Sequence, residues 1–146
     1  MPGARSSLML KLHSARMALL LVRRLGRGAG RDRFGRGGLE FRSPQFAIGG
    51  YGVLRPCRDG WKVGPLFAER DDAAASLLTA LRAEAARRAP GTPVFLDVPE
   101  PHAAARALAE SCGGTPVFET ARMYTQGPPE DVEPALTWGV TSFELG

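Results

Sequence analysis

The junction between a predicted strand and a predicted helix is the part of this sequence whose residues are best placed for chemistry. Residues 63–88, VGPLFAERDDAAASLLTALRAEAARR, begin as an apolar strand and continue as a helix. The first amides of a helix have no intrahelical partners and lie at the positive end of its dipole, so this junction could hold an anion. However, residues 69–72 read ERDD, whereas a phosphate-binding loop usually carries glycine and positive charge. Two interpretations remain open: an anion site of unusual composition, or a helix capped by Asp71 or Asp72.

Other patterns that commonly mark reactive sites are missing from the sequence. The two cysteines, Cys57 and Cys112, lack the CxxC spacing of a metal or redox pair, so a reducing, cytoplasmic environment is expected. The two histidines, His13 and His102, lie far apart and outside any HExxH motif. We therefore expect no metal site.

The start of the chain differs in charge from the remainder. Residues 1–45 contain ten basic and two acidic side chains, whereas residues 46–146 contain nine basic and thirteen acidic ones. Within this leader, residues 8–25 could form a basic helix with an apolar face, and the glycine-arginine run at 26–38 is expected to be flexible. The continuous apolar run at 17–22 is far too short to span a bilayer.

Three interpretations of the leader remain open. It could bind nucleic acid or anionic lipid through its arginines, although arginine-glycine stretches alone are weak evidence for such a role. It could be a transit-like peptide, since it is rich in arginine and poor in acidic residues. It could also be a poorly packed tail without a role of its own. We expect the last, with no specific nucleic-acid partner and no membrane span.

The remainder of the sequence predicts an α/β fold in which strands and helices alternate. Residues 46–57, with a turn at 49–50, and residues 61–68 read as two strands joined by the turn signal RDG, which predicts an antiparallel hairpin. Gly64-Pro65 in the second strand predicts a bulge, because proline has no amide hydrogen to donate. Further segments predict helices at about 72–88 and from 101 to 112, and strands at 92–100, 117–125 and 137–145.

The resulting order is β-β-α-β-α-β-β, a layered sheet with crossover helices. The apolar centre of the 92–100 segment predicts a buried central strand. Its expected core residues are Val94, Leu96 and Val98, covered by Leu77, Leu81 and Leu108.

This order, with a bulged strand leading into a helix, resembles the GCN5-related N-acetyltransferase (GNAT) superfamily. More narrowly, GYGVLRPCRDGWKVGPLFAE, FLDVPEPHAAARALAESCGG, ETARMY and TSFELG resemble the acetyltransferase-like domain that forms the C-terminal half of some tandem bacterial members. The resemblance implies a partial GNAT-like mixed sheet with two crossover helices over residues 45–146. A basic, flexible or helical leader would precede it over residues 1–44. The superfamily has a strand, two helices and two further strands ahead of the hairpin, so the domain is expected to be N-terminally incomplete or its start mis-assigned.

The resemblance also implies acetyl-CoA as the acetyl donor and an amine, on a small molecule or a peptide, as the acceptor. In the superfamily, acetyl-CoA lies between the bulged strand and the next one. Its pantetheine arm pairs with the strand backbone, and its diphosphate meets the amides at the helix start. Carried over to this sequence, the implied binding residues are Leu66, Phe67, Ala68, Arg70, Asp71, Asp72, Ala73, Ala74 and His102.

Acetyl transfer to an amine needs a base for the substrate ammonium and an acid for the leaving thiolate. Ala109 stands where the superfamily often has a tyrosine acid. The nearest polar candidates are Asp97, Glu100 and Tyr124. Each has a structural alternative, because Asp97 could pair internally, Glu100 could be solvated, and Tyr124 could belong to the core.

The implied phosphate loop departs from the superfamily pattern at Asp72, which stands where a glycine is usual. A carboxylate there would oppose a diphosphate, whereas Arg70 would offset part of that repulsion. The sequence therefore supports an acetyl-CoA-dependent N-acetyltransferase, with a non-catalytic or degenerate acetyltransferase-like module as the alternative. A nucleic-acid or membrane adaptor rests on the leader alone.

Overall fold

A computed structural model describes residues 5–12, 29–31, 37–42, 48–122 and 133–141 of the protein. The strands are β1 Arg5–Leu12, β2 Ala29–Arg31, β3 Gly37–Arg42, β4 Ile48–Cys57, β5 Gly60–Ala68, β6 Val94–Pro99, β7 Thr115–Arg122 and β8 Thr137–Gly139. The helices are α1 Asp71–Arg88 and α2 Ala103–Ser111, and a 3-10 turn, Pro134–Leu136, precedes β8. Within these ranges, no helix is long and apolar enough to cross a membrane.

The strands form one mixed sheet in the order β2-β3-β4-β5-β6-β1-β7, and β8 pairs with β5 outside this path. β5 and β6 run parallel, whereas the other paired strands described here run antiparallel. α1 connects β5 to β6, and α2 connects β6 to β7. The prediction of an α/β sheet with two crossover helices is therefore confirmed.

The hairpin of β4 and β5 forms as the sequence predicted, including the bulge. Gly52 pairs with Leu66 and Leu54 pairs with Val63, so Gly64-Pro65 lies opposite a single residue of β4. The expected turn at residues 49–50 is wrong, because both glycines lie within β4. Gly50 allows close approach of β5, since a Cβ there would lie 2.7 Å from the carbonyl oxygen of Phe67.

α1 packs one apolar face against the sheet. Its buried residues are Ala73, Ala74, Leu77, Leu78, Leu81 and Ala85, which include the predicted core residues Leu77 and Leu81. Gly52 on β4 makes room for this face, since a Cβ there would lie 2.7 Å from Cδ1 of Leu81. This packing fixes the start of α1 beside the end of β5.

β6 is a buried strand between β5 and β1, as predicted. Val94, Leu96 and Val98 are at most 1% exposed and belong to the same core as Leu77 and Leu81. Leu108 of α2, also expected in the core, is partly buried against it. The carboxyl ends of β5 and β6 thus lie at the same edge of the sheet.

The beginning of the chain differs from the expectation of a poorly packed leader. Residues 5–12 form β1 between β6 and β7, and Leu10 and Leu12 are fully buried. The helix expected from residue 8 is therefore wrong over this segment. The alternation of Leu8, Leu10 and Leu12 with Met9 and Lys11 suits a strand, and two neighbouring strands supply partners for its backbone.

Part of the glycine-arginine run is also strand, because Ala29–Arg31 pairs with the start of β3. The order predicted for the later part of the chain begins at β4, and three strands that were not predicted precede it. The remainder of the predicted leader helix, at 13–25, lies outside the described residues.

Candidate functional site

The site is built around a gap between β5 and β6. The two strands pair only over residues 61–63 of β5 and 94–96 of β6. The bulge at Gly64-Pro65 lies within β5, directly after this paired stretch, and beyond the bulge β5 pairs with β8 instead of β6. In a parallel α/β arrangement, the place where neighbouring strands separate at their carboxyl ends is a common ligand site.

The chain's own β8 lies in this gap and contacts both walls. It runs antiparallel to β5, with Gly139 opposite Leu66 and Thr137 opposite Phe67. On the other side, the amide of Val140 donates a hydrogen bond to the carbonyl oxygen of Asp97 on β6, at 2.9 Å. β8 therefore bridges the two strands where they no longer pair with each other.

Trp138 anchors β8 in the gap. Its side chain is 3% exposed, and its indole Nε1 donates a hydrogen bond to the carbonyl oxygen of Ala68 at 3.1 Å. Its ring meets the His102 ring edge-on, with 4.6 Å between centroids. Nδ1 of His102 donates to the carbonyl oxygen of Thr137 at 3.0 Å, because that acceptor requires the proton on Nδ1. His102 thus holds β8 in this conformation.

The start of α1 carries a paired arginine and aspartate. Arg70 occupies the N-cap position, with Nε 2.9 Å from Asp72 Oδ1 and Nη2 2.5 Å from Oδ2. Asp72 Oδ1 also accepts a hydrogen bond from the amide of Ala73. The bond from Arg70 lowers the pKa of Asp72, and the same bond raises the pKa of Arg70. The Asp72 charge is therefore largely engaged by Arg70, although both side chains are exposed.

The three candidate catalytic residues lie in different surroundings. Asp97 is fully buried, and its carboxylate forms an ion pair with Lys62 of β5. Glu100 is exposed in the turn after β6. Arg106 on α2 donates a hydrogen bond to Glu110, which raises the pKa of Arg106, and the charge of Glu100 contributes less to the same shift. Tyr124 lies outside the described residues.

Two features of the site were missed by reasoning from sequence. One is the ion pair of Lys62 with Asp97, for which a charged residue in each of two otherwise apolar strands was the available signal. The other is β8: the segment TWGV suggested a strand, but nothing local indicates that it pairs with β5. Ala109 is fully buried in α2, so no acid is available at that position.

The edge of β5 at Leu66 and Phe67 could bind a ligand, and β8 occupies this edge in the structure. The backbone of Leu66 and Phe67 could pair with an extended ligand, and the α1 amides that follow could hold an anion. β8 already pairs with that edge. An extended ligand could therefore pair with this edge of β5 only when β8 is withdrawn. Within the described ranges, no cluster of three or more His, Cys, Asp or Glu residues could hold a metal ion.

Comparison with known proteins agrees with this geometry. The model of the Acetyltransferase (GNAT) domain family matches residues 40–135, more than half of the chain. No curated protein matches the sequence significantly. A solved structure from Pyrococcus horikoshii, described provisionally as an acetyltransferase, is similar with a TM-score of 0.64 and 15% identity.

That superposition covers 97% of this chain and 52% of the Pyrococcus horikoshii chain, so this protein spans about half of its length. At this level of identity, the likeness establishes the fold: a GNAT-like mixed sheet with two helices. The family match, together with this fold and the separating strands β5 and β6, leads to one conclusion. The chain belongs to the GNAT acetyltransferase domain family.

Proposed function

We propose that this protein is an acetyl-CoA-dependent N-acetyltransferase whose acceptor is an amine on a small molecule or a peptide. The observation that carries the proposal is the gap between β5 and β6, which opens at the bulge and leads directly to the start of α1. This arrangement supplies a backbone edge for an extended arm and helix amides for a diphosphate. The two free cysteines are consistent with the cytoplasmic location that we also propose.

Binding would use the residues that the resemblance indicated. Leu66 and Phe67 would offer backbone groups to the pantetheine arm, next to the carbonyl of Ala68. The backbone amides of residues 70–74 would face the diphosphate, with Arg70 supplying positive charge. His102 lies at the start of α2, within contact of the segment that now fills the gap.

Acetyl-CoA would supply an acetyl thioester, and the remaining task falls to the protein. The acceptor nitrogen attacks the thioester carbonyl carbon, so a C–N bond forms and the C–S bond breaks. The base takes one proton from the substrate ammonium before the attack, and the nitrogen loses a second proton as the C–S bond breaks. The departing thiolate takes up a proton to leave as the thiol of CoA. Glu100 is our candidate base, because its carboxylate is exposed at the carboxyl end of β6. Tyr124 stays a candidate acid.

Asp97 has a positioning role in this proposal. Its carboxylate is buried against Lys62, and its backbone carbonyl accepts the amide of Val140. A fully buried, ion-paired carboxylate is poorly placed to exchange protons with a substrate. Through its ion pair with Lys62, Asp97 instead connects β6 to β5 at the base of the gap.

A second candidate function is a non-catalytic acetyltransferase-like module. It is favoured by the filling of the gap with β8 and by the alanine at position 109. The two candidates differ in one simple property, since only the enzyme must bind acetyl-CoA.

Calorimetric titration of acetyl-CoA at fixed salt into the parent and into Asp72→Gly tests the proposal. The change frees the Ala73 amide and the Arg70 guanidinium, so affinity should rise about two- to fivefold, the size of one charge at a helix start. Asp71→Gly is the matched control, because it removes a neighbouring charge without releasing either partner. If Asp72→Gly and Asp71→Gly bind acetyl-CoA with equal affinity, the Arg70–Asp72 pair is not part of the site. If neither variant nor the parent binds acetyl-CoA, the non-catalytic module is favoured.

A further inference from the structure

The segment from Thr137 to Thr141 makes a dense set of contacts for so short a stretch. It pairs with β5 at two positions, donates to β6 through Val140, and is held by side-chain hydrogen bonds at both ends. At one end, His102 donates to the carbonyl of Thr137. At the other end, Arg55 donates to the carbonyl of Thr141. Between them, Trp138 is buried with its indole hydrogen-bonded to β5.

The contacts of residues 137–141 with β5 use the same backbone groups that the proposed ligand, acetyl-CoA, would pair with. The edge of β5 at Leu66 and Phe67 can pair with β8 or with a pantetheine arm, but not with both. The carbonyl of Ala68, next along the same strand, already accepts from Trp138. β8 and the pantetheine arm of acetyl-CoA therefore cannot occupy the gap at the same time.

We propose that residues 137–141 form a displaceable strap that closes the acetyl-CoA gap and withdraws when acetyl-CoA binds. The inference rests on the proposed function, and it makes the protein self-inhibited. β8 is only three residues long and is joined to an exposed 3-10 turn. Its withdrawal breaks two residue pairs with β5 and leaves the order of the other strands in the sheet intact. Where the binding-competent form is a minor fraction, apparent affinity falls by that fraction.

The strap fits the gap because of a glycine. A Cβ at Gly139 would lie 2.6 Å from Cδ1 of Leu96 and 3.2 Å from Cβ of Leu66, the two residues on either wall. Gly139→Ala therefore disfavours the closed form without altering β5 or β6. If the closed form dominates, the variant should bind acetyl-CoA about tenfold more tightly than the parent.

Gly114→Ala provides a matched control. Its new Cβ would lie 2.7 Å from the carbonyl oxygen of Ala109, a contact as close as that at Gly139 but between α2 and the start of β7. Its affinity for acetyl-CoA should equal that of the parent. Val140→Pro is a second opening variant, useful if Gly139→Ala does not fold. It removes the amide that donates to Asp97 and adds no bulk at Gly139.

The experiment combines calorimetry with fluorine NMR on full-length protein labelled with 5-fluorotryptophan. The chain has two tryptophans. Trp138 reports on the strap, and Trp61 is an internal reference because it packs near Arg88, at 5.4 Å from the guanidinium carbon to the ring centroid. Saturating acetyl-CoA should move the Trp138 resonance to a solvent-exposed position and leave that of Trp61 unchanged.

The outcomes separate this inference from the proposed function. Tighter binding by an opening variant, together with exposure of Trp138 on saturation, supports the strap. Equal binding by parent and opening variants, or a Trp138 resonance that stays buried at saturation, overturns the strap and leaves the acetyl-CoA site standing. Absence of binding by the parent and both opening variants overturns the proposed function, and with it the strap.

Discussion

Leu10→Ala tests whether the start of the chain is integral to the fold. Leu10 is fully buried on β1, opposite Leu96 of β6 and Pro116 of β7. Truncation to alanine removes buried carbon atoms and leaves a cavity in the middle of the sheet. Such changes cost about 2–5 kcal/mol of the free energy of unfolding. For a chain of this size, a loss of about 3 kcal/mol lowers Tm by roughly 6–12 °C.

Urea unfolding followed by tryptophan fluorescence measures this loss, with Lys11→Ala as the matched control. Lys11 is the next residue on the same strand and is half-buried on the opposite face, so its truncation alters the same strand without emptying a fully buried position. The control should lose less than about 1 kcal/mol. If Leu10→Ala loses no more than about 0.5 kcal/mol, β1 is not part of the core and the leader is loosely attached, as the sequence first indicated.

Three further perturbations test other parts of the structure in the same unfolding assay. Leu96→Ala should cost about 2–5 kcal/mol because this side chain is almost fully buried on β6, and a loss below about 0.5 kcal/mol would mean that the strand is misplaced. Lys62→Met removes the cation beside buried Asp97 and should cost about 3–5 kcal/mol, whereas an unchanged stability would deny the ion pair a structural role. A hydrogen bond from Arg87 is the main cause that lowers the pKa of Glu84 from 4.5 to about 2. Its stabilisation, about 0.5–1 kcal/mol after allowance for solvent screening, should be present above pH 4.5 and be lost as the pH falls toward 2. Glu84→Gln should therefore differ from the parent at pH 7 and match it near pH 2, and a constant difference would contradict this linkage.

The elements that sequence predicted well depend on neighbours close in the chain. The hairpin of β4 and β5 follows from two strand-like runs around a three-residue turn signal, and the bulge follows from Gly64-Pro65. α1 follows from helical spacing of leucine and alanine, which ends before Gly91. In each case, the physical cause lies within about twenty residues, so it can be read along the sequence.

The elements that sequence missed depend on partners far away. Residues 8–12, LMLKL, suit either a strand or one turn of a helix, and their pairing with β6 and β7 decides between them. β8 was predicted as a strand, but its pairing was not, because its partner Leu66 lies some seventy residues earlier. Part of the candidate site was therefore predictable from sequence. β5 and α1 follow from local pattern, whereas the position of β8 in the gap does not.

The most direct test of the acetyl-CoA site is a titration of the isotope-labelled, full-length protein with acetyl-CoA, followed by amide NMR. We expect the chemical-shift changes to concentrate at the backbone amides of Leu66 and Phe67, at residues 71–74, and at the indole of Trp138. These groups line the edge of β5, the start of α1 and the segment that must leave the gap. A spectrum that stays unchanged at millimolar acetyl-CoA, or whose shift changes lie only on β7, would contradict an acetyl-CoA site between β5 and β6.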